Sequence, residues 1–184
     1  LLIISIFTQG FTDAPTIFVK KSSEVTGATS TSAATGSDSD SIITSGSGTA
    51  KLEFYVMSQC PYGTQVEDAI KPVLELLGES VDFELNFIAN DNGDGTFGAL
   101  HGQTEVDGNI VQLCAAKHNP DKYMDMVVCM NQNAGAIPGN WGDCASENNL
   151  EVDKIKTCFE GDEGAELLKA SIQIISPFKS EISI

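Results

Sequence analysis

A chain of 184 residues with a formal net charge of −16, ten lysines and no arginine carries no cationic footprint for nucleic acid or for an anionic membrane surface. At 41% hydrophobic it has apolar material for a core, and its length suits one domain plus a tail. Nucleic acid is therefore excluded as a partner, as is membrane contact by the folded domain.

The chain opens on Leu1 to Phe7, an apolar run too short to span a bilayer and lacking an initiator Met. We read residues 1–20 as the remnant of a signal peptide or N-terminal anchor, with the chain a fragment. The alternative is a strand of a preceding domain, which Ala14 to Val19 would complete. Residues 21–50 are dominated by Ser, Thr, Gly and Ala, and between Ala28 and Gly48 the only large apolar side chains are Ile42 and Ile43. Such a stretch cannot bury enough surface to offset its ordering entropy, which predicts a disordered linker. The folded domain is expected over 51–184.

Leu52 to Met57, rich in Phe, Tyr and Val, predicts a strand that stops at Ser58-Gln59. Cys60-Pro61-Tyr62-Gly63 follows and opens a helical pattern from Thr64 to Leu77, with Val66, Ile70, Val73 and Leu77 on one stripe, Pro72 inside it and Gly78 as a stop. Val81 to Ile88 alternates with period two, so the order strand, helix, strand predicts a parallel pair joined by a crossover. The sulfur of Cys60 then sits at a strand-to-helix junction. There, unpaired N–H groups and the positive end of the helix dipole favour a thiolate over a thiol.

Asn90 to Gly95 has the oxygen pattern of a calcium loop, but a full loop would need Glu where His101 stands, so a polar turn is expected. Helices should follow, with faces Val106/Ile110/Leu113, then Tyr123/Val127/Met130 after an Asn119-Pro120 start, then Val152/Ile155/Phe159, and Leu168/Ile172/Ile175. Trp141, in a turn-rich stretch, is read as a packing anchor. Cys114, Cys129, Cys144 and Cys158 can be two structural disulfides, buried thiols or zinc ligands. No C-x2-C pair exists and His101 and His118 are each isolated in the chain, so zinc is the weakest reading and no metal or other cofactor is expected. Two bridges are favoured, with three connectivities that spacing cannot separate; an odd total of five cysteines then leaves Cys60 over.

Cys60-Pro61-Tyr62 at a strand-to-helix turn resembles the active-site turn of the thioredoxin and glutaredoxin superfamily. The order of His101-Gly102-Gln103-Thr104-Glu105, Asn109 to Cys114, Val128-Cys129-Met130, Cys144 and Ile155 to Gly164 resembles the gamma-interferon-inducible lysosomal thiol reductase family and its archaeal and bacterial relatives, over roughly residues 51 to 175. The resemblance implies an α/β thioredoxin-like fold with a helical, cysteine-containing insertion at about 98–160, bridging within that insertion, and disulfide reduction or exchange outside the cytosol. It implies a second cysteine where Gly63 stands, and family cysteines where Leu100 and Val106 stand, so one family disulfide is absent. It also implies a closing hairpin with a cis-proline, for which the residues after Ser176 are too few; Pro177 is not assigned that role.

The expected function is an extracytoplasmic thiol-disulfide oxidoreductase, secreted or membrane-anchored. Cys60 is its nucleophile, within the Cys60-Pro61-Tyr62-Gly63 turn, and His101 a candidate modulator of the site. Its partners would be protein disulfide substrates and an external thiol reductant, because Gly63 cannot release a mixed disulfide. The alternative is a redox-inactive thioredoxin-like module that binds or presents substrates.

Overall fold

The computed structural model describes the backbone of residues 2–7 and 16–19 and all of residues 49–175. The expected linker, apart from its last two residues, and the segment from Ser176 onward, with Pro177, lie outside the described residues.

Strand β3 (Ala50–Val56) lies inside the sheet. Leu52, Phe54 and Val56 are buried, and so is Glu53 on the opposite face, where Lys51 Nζ meets its carboxylate at 2.7 Å. After β3 the chain enters helix α1 (Pro61–Leu77) and returns as β4 (Val81–Phe87), parallel to β3 in register from Ala50 opposite Val81 to Val56 opposite Phe87. This is the parallel pair the crossover predicts. On the other side of β3 runs β1 (Leu2–Phe7), parallel to it, with β2 (Thr16–Val19) antiparallel to β1, giving the order β2-β1-β3-β4.

The polar stretch after β4 forms a small hairpin, β5 (Asn90–Asp91) and β6 (Phe97–Gly98). Its turn is held by Asp91 and Asp94 side chains accepting from the N–H groups of Gly93 and Thr96. Five helices follow: α2 (Gln103–His118), α3 (Tyr123–Asn131), α4 (Trp141–Glu147), α5 (Val152–Glu160) and α6 (Asp162–Ile175). Leu168, Ile172 and Ile175 of α6 are buried as their spacing predicts, and Trp141 meets Phe159 edge-on at 6.4 Å between centroids.

Two expected faces and one expected helix start are corrected. On α1, Val66 and Ile70 of the expected stripe pack against the core, but Val73 and Leu77 are 42% and 41% exposed, and the buried residues are Thr64 and Glu67. The turn of helix facing α3 is polar, and Thr64, Glu67, Asp68 and Lys71 meet Asn131 and Asp125 there. On α2 the single stripe gives way to burial on most sides, including Glu105, Asn109 and Gln112, because this helix lies among α3, α5, α6 and the sheet. The start expected at Asn119-Pro120 also moves: Asn119 caps the end of α2, and its carbonyl accepts from Lys122 and Tyr123 as the chain turns into α3.

Helix α6 closes the edge of β4. The hydroxyl of Ser171, buried, accepts from the N–H of Phe87 at 2.7 Å. Ser171→Ala leaves that buried N–H without its partner, and urea unfolding should register a loss of about 1–3 kcal/mol; an unchanged midpoint would contradict this role.

Candidate functional site

Strand β3 ends at Val56, and the next residues reverse direction within one tight turn in which the N–H of Cys60 donates to the carbonyl of Met57 at 3.0 Å. Cys60 is the N-cap of α1, in extended backbone conformation, with Pro61 at the first helical position and its own carbonyl accepting from Thr64 N–H at 3.0 Å. Proline has no N–H to leave unpaired there. The N–H groups of Tyr62 and Gly63, at the second and third helical positions, are the donors that an N-cap side chain can reach, but the Cys60 side chain makes no capping hydrogen bond. Cys60 is half-buried and free, neither sunk in hydrocarbon nor bridged. Tyr62 is half exposed. Position 63 is close to the sulfur-bearing residue: a Cβ on Gly63 would lie 3.6 Å from Cys60 Cβ and 3.1 Å from Met57 O.

The turn is fixed from behind by residues the sequence did not single out. Ser58 is fully buried; its N–H donates to Asn109 Oδ1 at 3.0 Å and its hydroxyl to the carbonyl of Glu105 at 3.1 Å. Helix α2 comes this close because residue 108 is glycine: a Cβ there would meet Ser58 Oγ at 2.4 Å and Ile137 Cγ2 at 2.6 Å. Gln59 bridges outward, donating to Ile137 O at 2.6 Å, just before the cis Ile137-Pro138 bond, and accepting from Thr104 Oγ1 at 3.1 Å.

His101 belongs to the same assembly. Glu105, fully buried in the first turn of α2, accepts from the N–H of His101 at 3.1 Å and holds its Nδ1 at 2.6 Å. With the proton on Nδ1, the Nε2 atom is left as the ring's free acceptor. The same Glu105 takes the Ser58 hydroxyl on its carbonyl, so the histidine and the Cys60 turn share one support. Gly102 between them has φ of 88°, which accounts for glycine at that position.

Below the turn, one polar cluster joins α1 to α3. Asn131 Nδ2 donates to Glu67 Oε2 at 2.9 Å, Asp68 Oδ1 at 3.0 Å and the carbonyl of Thr64 at 3.3 Å. Burial pushes the Glu67 carboxyl up to about 8, partly opposed by the Asn131 hydrogen bond and reinforced by the charge of Asp68. Of the adjacent acids Glu67 and Asp68, Glu67 is thus the one held protonated at neutral pH. Its signal was the i, i+3 pattern Thr64, Glu67 on the face that α3 covers.

The remaining cysteines lie in the helical region as Cys114–Cys158, joining α2 to α5, and Cys129–Cys144, joining α3 to α4. This is one of the three connectivities that spacing left open.

A family model described as Gamma interferon inducible lysosomal thiol reductase (GILT) matches residues 51–148. A curated relative named gamma-interferon-inducible lysosomal thiol reductase, from Carassius auratus, is 26% identical over 130 residues, covering 64% of this chain and 49% of that protein. The chain thus spans about half the length of that relative. Among solved structures, one from Nitrosomonas europaea, described as a candidate protein disulfide isomerase, aligns with a TM-score of 0.55 at 8% identity, over 71% of this chain and 79% of that one. At that identity the likeness concerns the fold, which is thioredoxin-like. No helix among the described residues is long and apolar enough to cross a membrane.

The Glu67 cluster yields a pH prediction. Below the ordinary value of 4.5 the carboxyl is neutral in both the folded and unfolded chain. Between there and about 8 the unfolded chain ionises and the folded one does not, so this group's contribution is lost as pH rises. Asp68 on α1, and Asp125 and Tyr123 on α3, face the same region and stay in place in a Glu67→Gln variant, which keeps the neutral shape. Urea midpoints at pH 5 and pH 8 should fall less for Glu67→Gln than for the wild type; parallel profiles would contradict the buried neutral carboxyl.

Proposed function

Because this chain belongs to the gamma interferon inducible lysosomal thiol reductase family, we propose that it is an extracytoplasmic thiol-disulfide oxidoreductase acting on protein disulfides, with Cys60 as nucleophile. The observation that carries this reading is the free, half-buried Cys60 at the first turn of α1, while the four other cysteines are bridged to one another.

The Cys60 thiolate attacks one sulfur of a substrate disulfide. The substrate S–S bond breaks, a mixed disulfide forms on Cys60, and the departing sulfur leaves as a thiolate that takes up a proton. Cys60 carries its negative charge before attack and after release at the N-terminus of α1, the positive end of the helix dipole. His101, oriented by Glu105, is the residue we assign to carrying the proton. An external thiol then attacks the mixed disulfide. A second equivalent of that thiol completes its own oxidation to a disulfide, so the substrate gains two electrons and two protons and Cys60 is regenerated. With glycine at 63 the external thiol must itself resolve the mixed disulfide, since the nearest position that would release the intermediate carries no sulfur.

Gly63 also favours a second reading, a module that captures substrates through Cys60 or Tyr62 without turnover. Substitution separates the two. Cys60→Ser should abolish thiol-dependent reduction of a model protein disulfide, and in the wild type an alkylating reagent should label Cys60 before any other cysteine. Wild-type protein that labels at Cys60 but never turns over with excess small thiol would support the binding module. Equal labelling of all five cysteines in the folded protein would overturn both readings. In Gly63→Cys, the new Cβ falls within the spacing of a disulfide to Cys60. That variant should form the 60–63 bridge and release reduced substrate in a single turnover without added thiol, while repeated turnover still consumes two thiols per disulfide.

A further inference from the structure

His118 is isolated in the chain but not in space. At the last residue of α2 its Nε2 lies 3.1 Å from Glu163 Oε2 at the start of α6, and ligand atoms of His118, Glu163 and Cys158, one from each, all lie within 4.8 Å of one another. Cys158 is bonded at 2.02 Å to Cys114, which stands one helical turn before His118 on α2. A Cys at i and a His at i+4 point from the same face of a helix, the spacing that lets two side chains share one cation. Helix α6 can approach because residue 164 is glycine, where a Cβ would contact Cys158 O at 2.9 Å, Ile110 Cγ2 at 2.5 Å and Cys114 Sγ at 3.4 Å. One sulfur, one imidazole and one carboxylate thus meet from three helices, and the second sulfur, Cys114, is bonded to the first.

We propose that the Cys114–Cys158 disulfide is a redox gate over a divalent metal site of the zinc class, whose ligands on reduction are Cys114, Cys158, His118 and Glu163. The donor set is a four-coordinate mixture of soft thiolates, imidazole and carboxylate that suits zinc over magnesium or calcium. Opening the gate needs a dithiol: it transfers two electrons to the S–S bond, closes into its own disulfide, and leaves Cys114 and Cys158 as thiols. The cation then displaces the two thiol protons. Metal capture holds the pair reduced, and reoxidation requires metal release. The ligands of this site include none of the residues assigned to disulfide exchange.

The test uses a Cys60→Ser/Cys129→Ser/Cys144→Ser protein, in which only the proposed pair remains, titrated with cobalt(II) before and after reduction by a phosphine. The proposal expects one cobalt per chain after reduction, with thiolate-to-cobalt charge-transfer and tetrahedral ligand-field bands that zinc abolishes, and neither band in the oxidised protein. His118→Gln and Glu163→Gln in that background should each weaken cobalt binding by about tenfold or more, since losing a ligand costs at least what losing its support does. A reduced protein without the charge-transfer band, or one whose cobalt affinity His118→Gln leaves unchanged, overturns the proposal. Should the triple variant not fold, the wild type serves: after reduction, zinc should slow maleimide labelling of Cys114 and Cys158 by about tenfold or more relative to Cys129 and Cys144. Equal rates with and without zinc overturn it.

Discussion

The site depends on Ser58 being held where no water reaches it. A strand that ends and a helix that begins within four residues need the backbone between them pinned, or the first turn of the helix frays. Two hydrogen bonds to α2, from the Ser58 N–H to Asn109 and from its hydroxyl to Glu105 O, supply that pin. Both are buried, so losing either partner exposes the full cost of an unpaired polar group rather than the smaller net value of a bond in water. The position of Cys60 is therefore set by α2, which lies 40 or more residues away in sequence.

Helix α2 is in turn the axis of the helical region. It is buried on most sides, which explains how one element can support the Cys60 turn, orient His101 through Glu105, and carry Cys114 into the α2–α5 disulfide. Close approach is bought with glycine at two places: Gly108 against Ser58 and Ile137, and Gly164 against Ile110 and Cys158. The bridges add covalent constraint. Cys114–Cys158 closes a longer stretch of chain than Cys129–Cys144, with 44 residues of separation against 15, and removes more freedom from the unfolded chain in the loop-closure account. Together they fix the scaffold on which a single free sulfur stands.

Much of this was legible from residue order. The apolar run before Cys60, the proline after it and the alternating run from Val81 carry local signals, and the strand–helix–strand unit follows from them because parallel pairing needs a crossover. The buried faces of α5 and α6 were likewise written in period 3.6. What escaped is tertiary in origin. Val73 and Leu77 fit a helical stripe, yet the side of α1 that α3 covers is polar, so burial followed the partner helix and not the periodicity. Glu67 reads as a surface acid until Asn131 is known to sit on it. Ser58, Asn109 and Gly108 are unremarkable residues in the chain whose importance lies in a contact across about fifty positions, and the pairing of His118 with Glu163 is hidden in the same way.

The central claim is that α2, through Ser58, holds the Cys60 turn. Amide hydrogen exchange in the wild type and in Asn109→Ala tests it most directly. The account predicts that the amides of Ser58, Cys60 and Thr64 exchange faster in the variant by about ten- to a hundredfold, the equivalent of one buried hydrogen bond, while those of α6 keep their protection. Unchanged exchange at Cys60 and Thr64 in a folded Asn109→Ala protein would contradict it.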